Sequence, residues 1–548
     1  MAWSQSSGNS ERRSIRRWRR PGQGWNRARP YREIQHFGQI VVEVEQWAAA
    51  SETAVESSEG RVHALEQQIR VLVKQRLRSS RRESSSVCLK REVGLISAVC
   101  LIVGTMIGSG IYMSPEWVLQ YIGSPGASLV IWAACGLVCT IAALAYVELG
   151  TAIKESGGEY IYILRNFGPI PAFLFSWTSV FIARPAGIAA MSLSLAQYIA
   201  APFYVACLPP TFVVKCTAAA SILILGIING LHVKLATRIQ NIFTFAKLLS
   251  LLIIVTGGLV LLFNGHTHSF QNAFQGTVAG FGSVGIAFQQ GMWSYDGWNN
   301  LNYVTEEIRR PEVNLPRALL ISLPLVTLLY LMANISYLAA MSPTEILASG
   351  AVAVTWGNKV LGSWAWLMPL SVVLSTFGSV NGSFFTGGRS CYVAAREGSM
   401  PDILSMAHVH RLTPLPALLF TALIALIMLI PGDFESIVNY FSFTAWMFYS
   451  LTFAALVYMK IKRPHLQQPF KVPMLVPVFM LIISTYLVVA PIVGNPRIEY
   501  LFVFVFMLCG LLIYFPLIHF KLWAGSLGQA TVFLQLLLEV APTQANLD

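Results

Sequence analysis

Residues 101–114 read LIVGTMIGSGIYMS. Apolar residues continue on both sides, yet Gly104, Gly108 and Gly110 stand among them with Thr105 and Ser109. Glycine weakens a helix by about 1 kcal/mol relative to alanine, because it has the most backbone freedom to lose. A stretch otherwise suited to a lipid-spanning helix is therefore loosened in its middle. A second window of this kind is GSVGIAFQQGMWSYDGWNN, residues 282–300, with Gly285, Gly291, Asp296 and Gly297.

The surroundings of these windows set the class. The chain has 548 residues, 55% of them hydrophobic and 12% charged. A soluble protein carries about 25% charged residues. A hydrocarbon layer of about 30 Å takes roughly 20 apolar residues per helix, and many such windows are present. The reading is an all-α polytopic membrane protein of twelve transmembrane helices. The spans are expected near 94–121, 127–152, 169–200, 212–232, 239–263, 279–303, 316–341, 364–392, 415–431, 435–459, 474–494 and 498–522. Basic residues gather in alternate loops, Lys154, Arg165, Arg309, Arg310, Arg396, Lys460 and Lys471 among them. The opposite loops hold little beyond Lys359 and Arg497. The positive-inside rule puts both termini in the cytoplasm. The net charge of +12 follows from this bias, and no nucleic-acid partner is expected.

Three regions are expected. Residues 1–92 hold 18 of the 38 basic residues and no long apolar run. Such a segment cannot bury a core and reads as a basic, Ser/Arg-rich cytoplasmic tail. Helical spacing of Val62, Leu65, Ile69 and Leu72 leaves membrane-surface binding open. Without a signal-peptide apolar core, the first span serves as signal anchor. Residues 93–523 form the twelve-span core. Residues 524–548 form a cytoplasmic amphipathic segment, with LQLLLEVAP at 534–542.

The two glycine windows fall in spans one and six. Helices broken at membrane depth are tolerated only where they line a protein-enclosed cavity. Paired interrupted spans at corresponding positions of two repeats point to a transporter site. Five spans per repeat is odd, so the second repeat must be inverted. The repeats would cover about 94–263 and 279–459, a 5+5 inverted-repeat (LeuT-like) core with helices one and six broken. For either window alone, close packing through small residues is an open alternative. Free amides at Ser109 and Gly110 would meet an anion such as an α-carboxylate. Carbonyls around Ile107 and near Trp293 would accept from an α-ammonium. Candidate substrate contacts are Thr105, Ile107, Gly108, Ser109 and Gly110 in the first window, and Phe288, Trp293 and Asp296 in the second. L-amino acids are the expected small-molecule substrates. No cofactor is expected, and no cysteine or histidine spacing suggests a metal site.

The motifs GTMIGSGIYMSP, ELGTAIKESGGEYIYI, WSYDGWNNLNYVTEEIRRPEVNLPRA and AAREGSMP resemble the light, transporting subunits of heteromeric amino-acid transporters. These belong to the amino acid–polyamine–organocation superfamily. The likeness runs from about residue 91 onward. It is strongest to the b0,+-type branch, through APFYVAC and IPGDFESIVNYFSF. Gln289-Gln290 and the long tail depart from that branch, and point to a close paralogue, such as an aromatic-preferring one. The resemblance implies ten core helices plus two, sodium-independent exchange of L-amino acids, and residence in the plasma membrane, apical in epithelia. It also implies a disulfide-linked, single-span glycoprotein heavy subunit. Among eight cysteines only Cys207 clearly faces outside on this topology, so it is the candidate interchain cysteine; a free surface thiol is the alternative. The N-x-S matches at Asn334 and Asn381 lie inside spans, so glycans would belong to the partner.

Three charged residues within spans are costly and therefore informative. Asp296 sits where the b0,+ branch has an acid and neutral-substrate relatives a small residue. The resemblance implies that it pairs with a cationic substrate head group; a helix-capping role is the alternative. Trp293 would close over the substrate, or pack in the core. Lys247 lies about nine residues into span five, or roughly 13 Å deep at 1.5 Å per residue. The resemblance implies a fixed cation in place of bound sodium, bridging spans one and five; snorkelling is the alternative. Arg184 would line the pocket or meet a lipid headgroup, so membrane lipids count among the partners. The C-terminal stretch resembles a trafficking helix, its motif only partly matched by Val540-Ala541-Pro542.

Exchange of neutral and cationic amino acids and cystine is the resulting expectation. Preference for aromatic and large neutral substrates is the alternative. A channel would show a polar stripe along several spans, whereas these polar groups cluster at mid-depth of two. No HExxH or GxSxG motif suggests an intramembrane enzyme. A non-transporting scaffold remains the reading from another class.

Overall fold

A computed structural model describes residues 93–542, apart from residues 154, 156, 205–207, 232, 397, 410, 412, 464–468 and 520–523. The basic tail, Cys207 and the last six residues lie outside the described residues.

The chain opens with α1 (Leu95–Met106) and α2 (Gly110–Ile122), bent by 50° across Ile107–Ser109. Next come α3 (Pro125–Ala152) and the short α4 (Glu159–Phe167). A π-helical turn at Ser179–Ala183 joins α5 (Pro169–Thr178) to α6 (Arg184–Ala200). Pro185 enters at the first turn of α6, where a missing N–H costs least. Then follow α7 (Thr211–Leu231), α8 (Val233–Phe263) and α9 (Phe281–Ser294). After α9 the chain turns irregularly and continues as a 3₁₀ segment, Asn300–Glu307.

The second half holds α10 (Pro311–Ala340), two connecting helices α11 (Pro343–Leu347) and α12 (Val352–Val360), and α13 (Leu367–Arg396). It ends with α14 (Leu415–Leu429), α15 (Phe434–Lys462), α16 (Leu475–Gly494), α17 (Ile498–Ile513) and α18 (Ala524–Leu538). The strands β1 (Met406–His408) and β2 (Val540–Pro542) pair antiparallel, Ala407 opposite Ala541. They fasten the end of the chain to the α13–α14 connection, and Val540 is buried with Met406 and Leu404.

Among the described residues, eight helices are long and apolar enough to cross a membrane, nine if the bent α1–α2 pair counts as one span. The segments expected as spans six, nine and twelve are helices of 14, 15 and 16 residues. The burial pattern is that of a protein in lipid. Large apolar side chains such as Leu223, Ile227, Leu252, Phe502 and Leu512 face outward. Polar ones such as Asn229, Gln290, Asn334 and Asn381 face inward. Asn229 donates to Asn381 at 3.0 Å, which gives both amides a partner away from water.

Packing places the two interrupted regions in the middle. Helix α9 lies against α2 and α16, and α10 packs against α1, α3 and α8. At one end of the bundle Lys460 pairs with the buried Glu148 at 2.6 Å. The other Glu148 oxygen accepts the Val472 amide at 2.9 Å.

Candidate functional site

The break in the first span starts at Ile107, whose backbone is extended (φ −72°, ψ 97°). Helix α2 restarts at Gly110, so its first amides have no partner within the helix. The second break follows Ser294. The two meet. A Cβ on Gly110 would lie 2.5 Å from Ser294 Cα, so only glycine permits this approach. Gly297 turns with φ +100°, and a Cβ there would lie 3.0 Å from Thr105 Oγ1. The hydroxyl of Tyr330, from α10, is 2.7 Å from the Met106 carbonyl and 2.9 Å from the Ser294 carbonyl. It thus holds the last carbonyl of α1 beside the last carbonyl of α9. Trp132 and Tyr295 pack edge-on around its ring.

The expected first-window contacts are all in this junction. Ile107, Gly108, Ser109 and Gly110 are buried. Thr105 Oγ1 is 2.8 Å from the Leu101 carbonyl and 2.9 Å from that of Ile102, inside its own helix. Phe288 is half-buried on α9. None of these residues lines the open space nearby.

That space is a cleft of about 530 Å³. Its polar lining includes Glu159, Arg184, Asp296, Asn299, Tyr303 and Tyr449. Asp296 also lines an adjoining hollow of about 280 Å³, together with Trp293. The Trp293 ring stands edge-on to Phe434 and Phe441 of α15, at 6.3 and 5.0 Å between centroids. The Arg184 guanidinium lies 5.6 Å from the Tyr303 ring centre, within cation–π range. Asn299 donates to Glu159 Oε1 at 2.5 Å and is 3.4 Å from the Tyr449 hydroxyl. The cleft thus holds two carboxylates and one guanidinium, enclosed by aromatic rings.

Lys247 is buried, and its Nζ donates to Ser379 Oγ at 2.9 Å and to the Gly104 carbonyl at 3.3 Å. It therefore ties α8 to α13 and to the end of α1, rather than reaching a lipid interface. A second polar chain joins α2, α9 and α15. Gln290 donates to Asn439 at 2.9 Å, and Asn439 Nδ2 is 3.5 Å from Glu435. Glu435 also accepts from the Tyr121 hydroxyl and pairs with Arg497 at 3.3 Å.

Reasoning from sequence missed Glu159, Asn299 and Tyr330. Glu159 and Asn299 lie within the quoted motifs, where an acid and an amide beside glycines were the available signal. Tyr330 sits in an apolar run and carries no such mark. Among the described residues, no three His, Cys, Asp or Glu side chains gather to hold a metal ion.

A bundle whose two interrupted helices meet beside a charged cleft defines a membrane transport protein. The amino acid permease family profile matches residues 93–514, and the chain belongs to that family. It is 50% identical to the human (Homo sapiens) b(0,+)-type amino acid transporter 1 over 467 residues, 85% of this chain and 96% of the relative. It is 45% identical to the mouse (Mus musculus) large neutral amino acids transporter small subunit 2 over 413 residues, 75% of this chain and 78% of the relative. Identity to the human cystine/glutamate transporter is 41% over 465 residues, 84% and 93% of the two chains. These relatives are transporters, not enzymes.

Proposed function

We propose that the chain is a sodium-independent exchanger of L-amino acids in the plasma membrane, working by alternating access. The reading includes twelve spans in a 5+5 inverted-repeat core plus two, with both termini cytoplasmic. The observation that carries it is the junction of the two broken helices beside the Asp296 cleft. Helix ends at such a break offer amides to a carboxylate and carbonyls to an ammonium. Asp296 then accepts the head group of a cationic substrate, and Trp293 closes over it. Lys247 holds the end of α1 where sodium-coupled transporters hold an ion. The Tyr121–Glu435–Arg497 chain lies on the outer side in this topology. A single-span heavy subunit joins through Cys207; one of the relatives is named a small subunit.

Exchange flux in proteoliposomes reconstituted with the full chain and its co-expressed partner tests this. Labelled arginine, cystine, leucine and tyrosine are offered without sodium. Arginine is expected to enter only against internal amino acid, and Asp296→Ala to lower arginine flux at least about tenfold while leucine stays within about threefold. Wild type that carries tyrosine but not arginine would make Asp296 structural and favour an aromatic-preferring exchanger. No flux of any amino acid would leave the scaffold reading.

A further inference from the structure

Glu159 is the first residue of α4 and is 1% exposed. Its Oε1 takes the Asn299 amide, while its Oε2 is buried without a well-formed hydrogen bond, the Tyr303 hydroxyl being the donor beside this carboxylate. A buried carboxylate held by only one amide and one phenol keeps most of its charge uncompensated, and such a site draws in a cation. Glu159 lines the same cleft as Asp296 and Arg184. Two carboxylates against one guanidinium leave the lining one negative charge in excess. An amino acid with a cationic side chain carries one net positive charge and neutralises it; a zwitterion does not.

The position of the cleft gives the side on which this matters. Helix α4 carries Arg165, paired with Glu155 at 2.6 Å. The 3₁₀ segment bearing Tyr303 runs directly into Arg309 and Arg310. The cleft therefore lies beside the basic loops, the cytoplasmic side in the topology proposed above.

We propose that Glu159 is a second carboxylate for cationic amino acids, which receives the side-chain guanidinium or ammonium on the inner side of Asp296 and sets the affinity of the inward-open site for this class. The inference rests on the exchanger reading. Asn299, which donates to Glu159 and lies next to Tyr449, fixes the carboxylate in the wall of the cleft.

Exchange is measured from both sides in the reconstituted complex, with arginine and leucine varied inside and then outside. Glu159→Gln removes the charge and keeps the shape and the Asn299 contact. It is expected to raise the internal KM for arginine at least about tenfold, with the internal KM for leucine and the external KM for arginine within about threefold. Glu159→Asp is expected to restore most of the arginine preference. Equal losses of arginine and leucine would make Glu159 a scaffold residue and overturn the proposal, as would no change in either. If Glu159→Gln does not give monodisperse protein, wild type alone still decides. Internal arginine must then out-compete internal citrulline, its uncharged isostere, by a larger factor than external arginine does external citrulline; equal factors overturn the proposal. Wild type that carries no arginine at all defeats the cationic part of the exchanger reading itself, a result distinct from a wild type that carries arginine and a variant that does not notice.

Discussion

Lys247 is a buried charge that joins three helices. Its ammonium is buried with a carbonyl and a hydroxyl as acceptors, and the carbonyl, that of Gly104, belongs to the helix that ends at Met106. Lys247→Met keeps the length and removes the charge. We expect exchange to fall at least about tenfold at unchanged surface abundance, because truncating a buried charge that is hydrogen-bonded costs the contacts it made while an apolar isostere is often tolerated for folding. Flux normalised to surface-biotinylated protein reads this, and unchanged flux would assign Lys247 to packing alone. Lys247 and Asp296 were legible in the sequence because charge inside a span is too costly to be incidental. Glu159 and Tyr330 were not. Glu159 stands outside the spans as read, where an acid costs nothing. Tyr330 is a tyrosine among leucines, and only the fold reveals that its hydroxyl reaches two helix ends.

At the scale of elements, the interruption of the first span followed from three glycines within seven residues. What the pattern did not contain was which glycine does what. Gly110 makes the contact with α9, because Ser294 backbone occupies the space a side chain would need. Gly110→Val is therefore expected to push α2 from α9. Overpacking of this kind costs about 1–3 kcal/mol, so a lowered thermal midpoint of the detergent-purified complex is expected together with loss of exchange. A normal midpoint with normal flux would mean that the two helices part without cost. The connecting helices α4, α11 and α12 were not expected, since each is nine residues or shorter and carries no span-length apolar run. The Lys247 contact to α13 was equally hidden, because sequence periodicity says which face is buried but not which helix covers it.

For the whole molecule, composition and the long apolar windows pointed to a multi-pass membrane protein. The sequence was less informative at α9, α14 and α17, helices of 14, 15 and 16 residues, because length is the main signal for a crossing helix. The connection between α10 and α13 carries a local anchor. Ser342 caps α11, and the Lys359 ammonium with the Ser342 amide holds the Glu345 carboxyl at about 2, below its ordinary value of 4.5. A carboxyl lowered on folding adds stability above its unfolded value and loses it as the pH falls from about 4.5 through about 2. The group is exposed, so its worth is about 0–1 kcal/mol. Glu345→Gln is expected to lower the thermal midpoint slightly at pH 6 and much less at pH 2, where about half of the folded-state carboxyl is protonated; a gap undiminished at pH 2 would place the effect in the helix cap rather than in the charge. The Tyr330 hydroxyl, meanwhile, has one proton for two carbonyls. While the ends of α1 and α9 stay side by side, that proton can serve either in turn. Once they separate, it can follow only one, and the other carbonyl is left in want of a donor at the very place where an ammonium would arrive. In the exchanger proposed above, opening the junction would then fix which of the two carbonyls the substrate ammonium finds free.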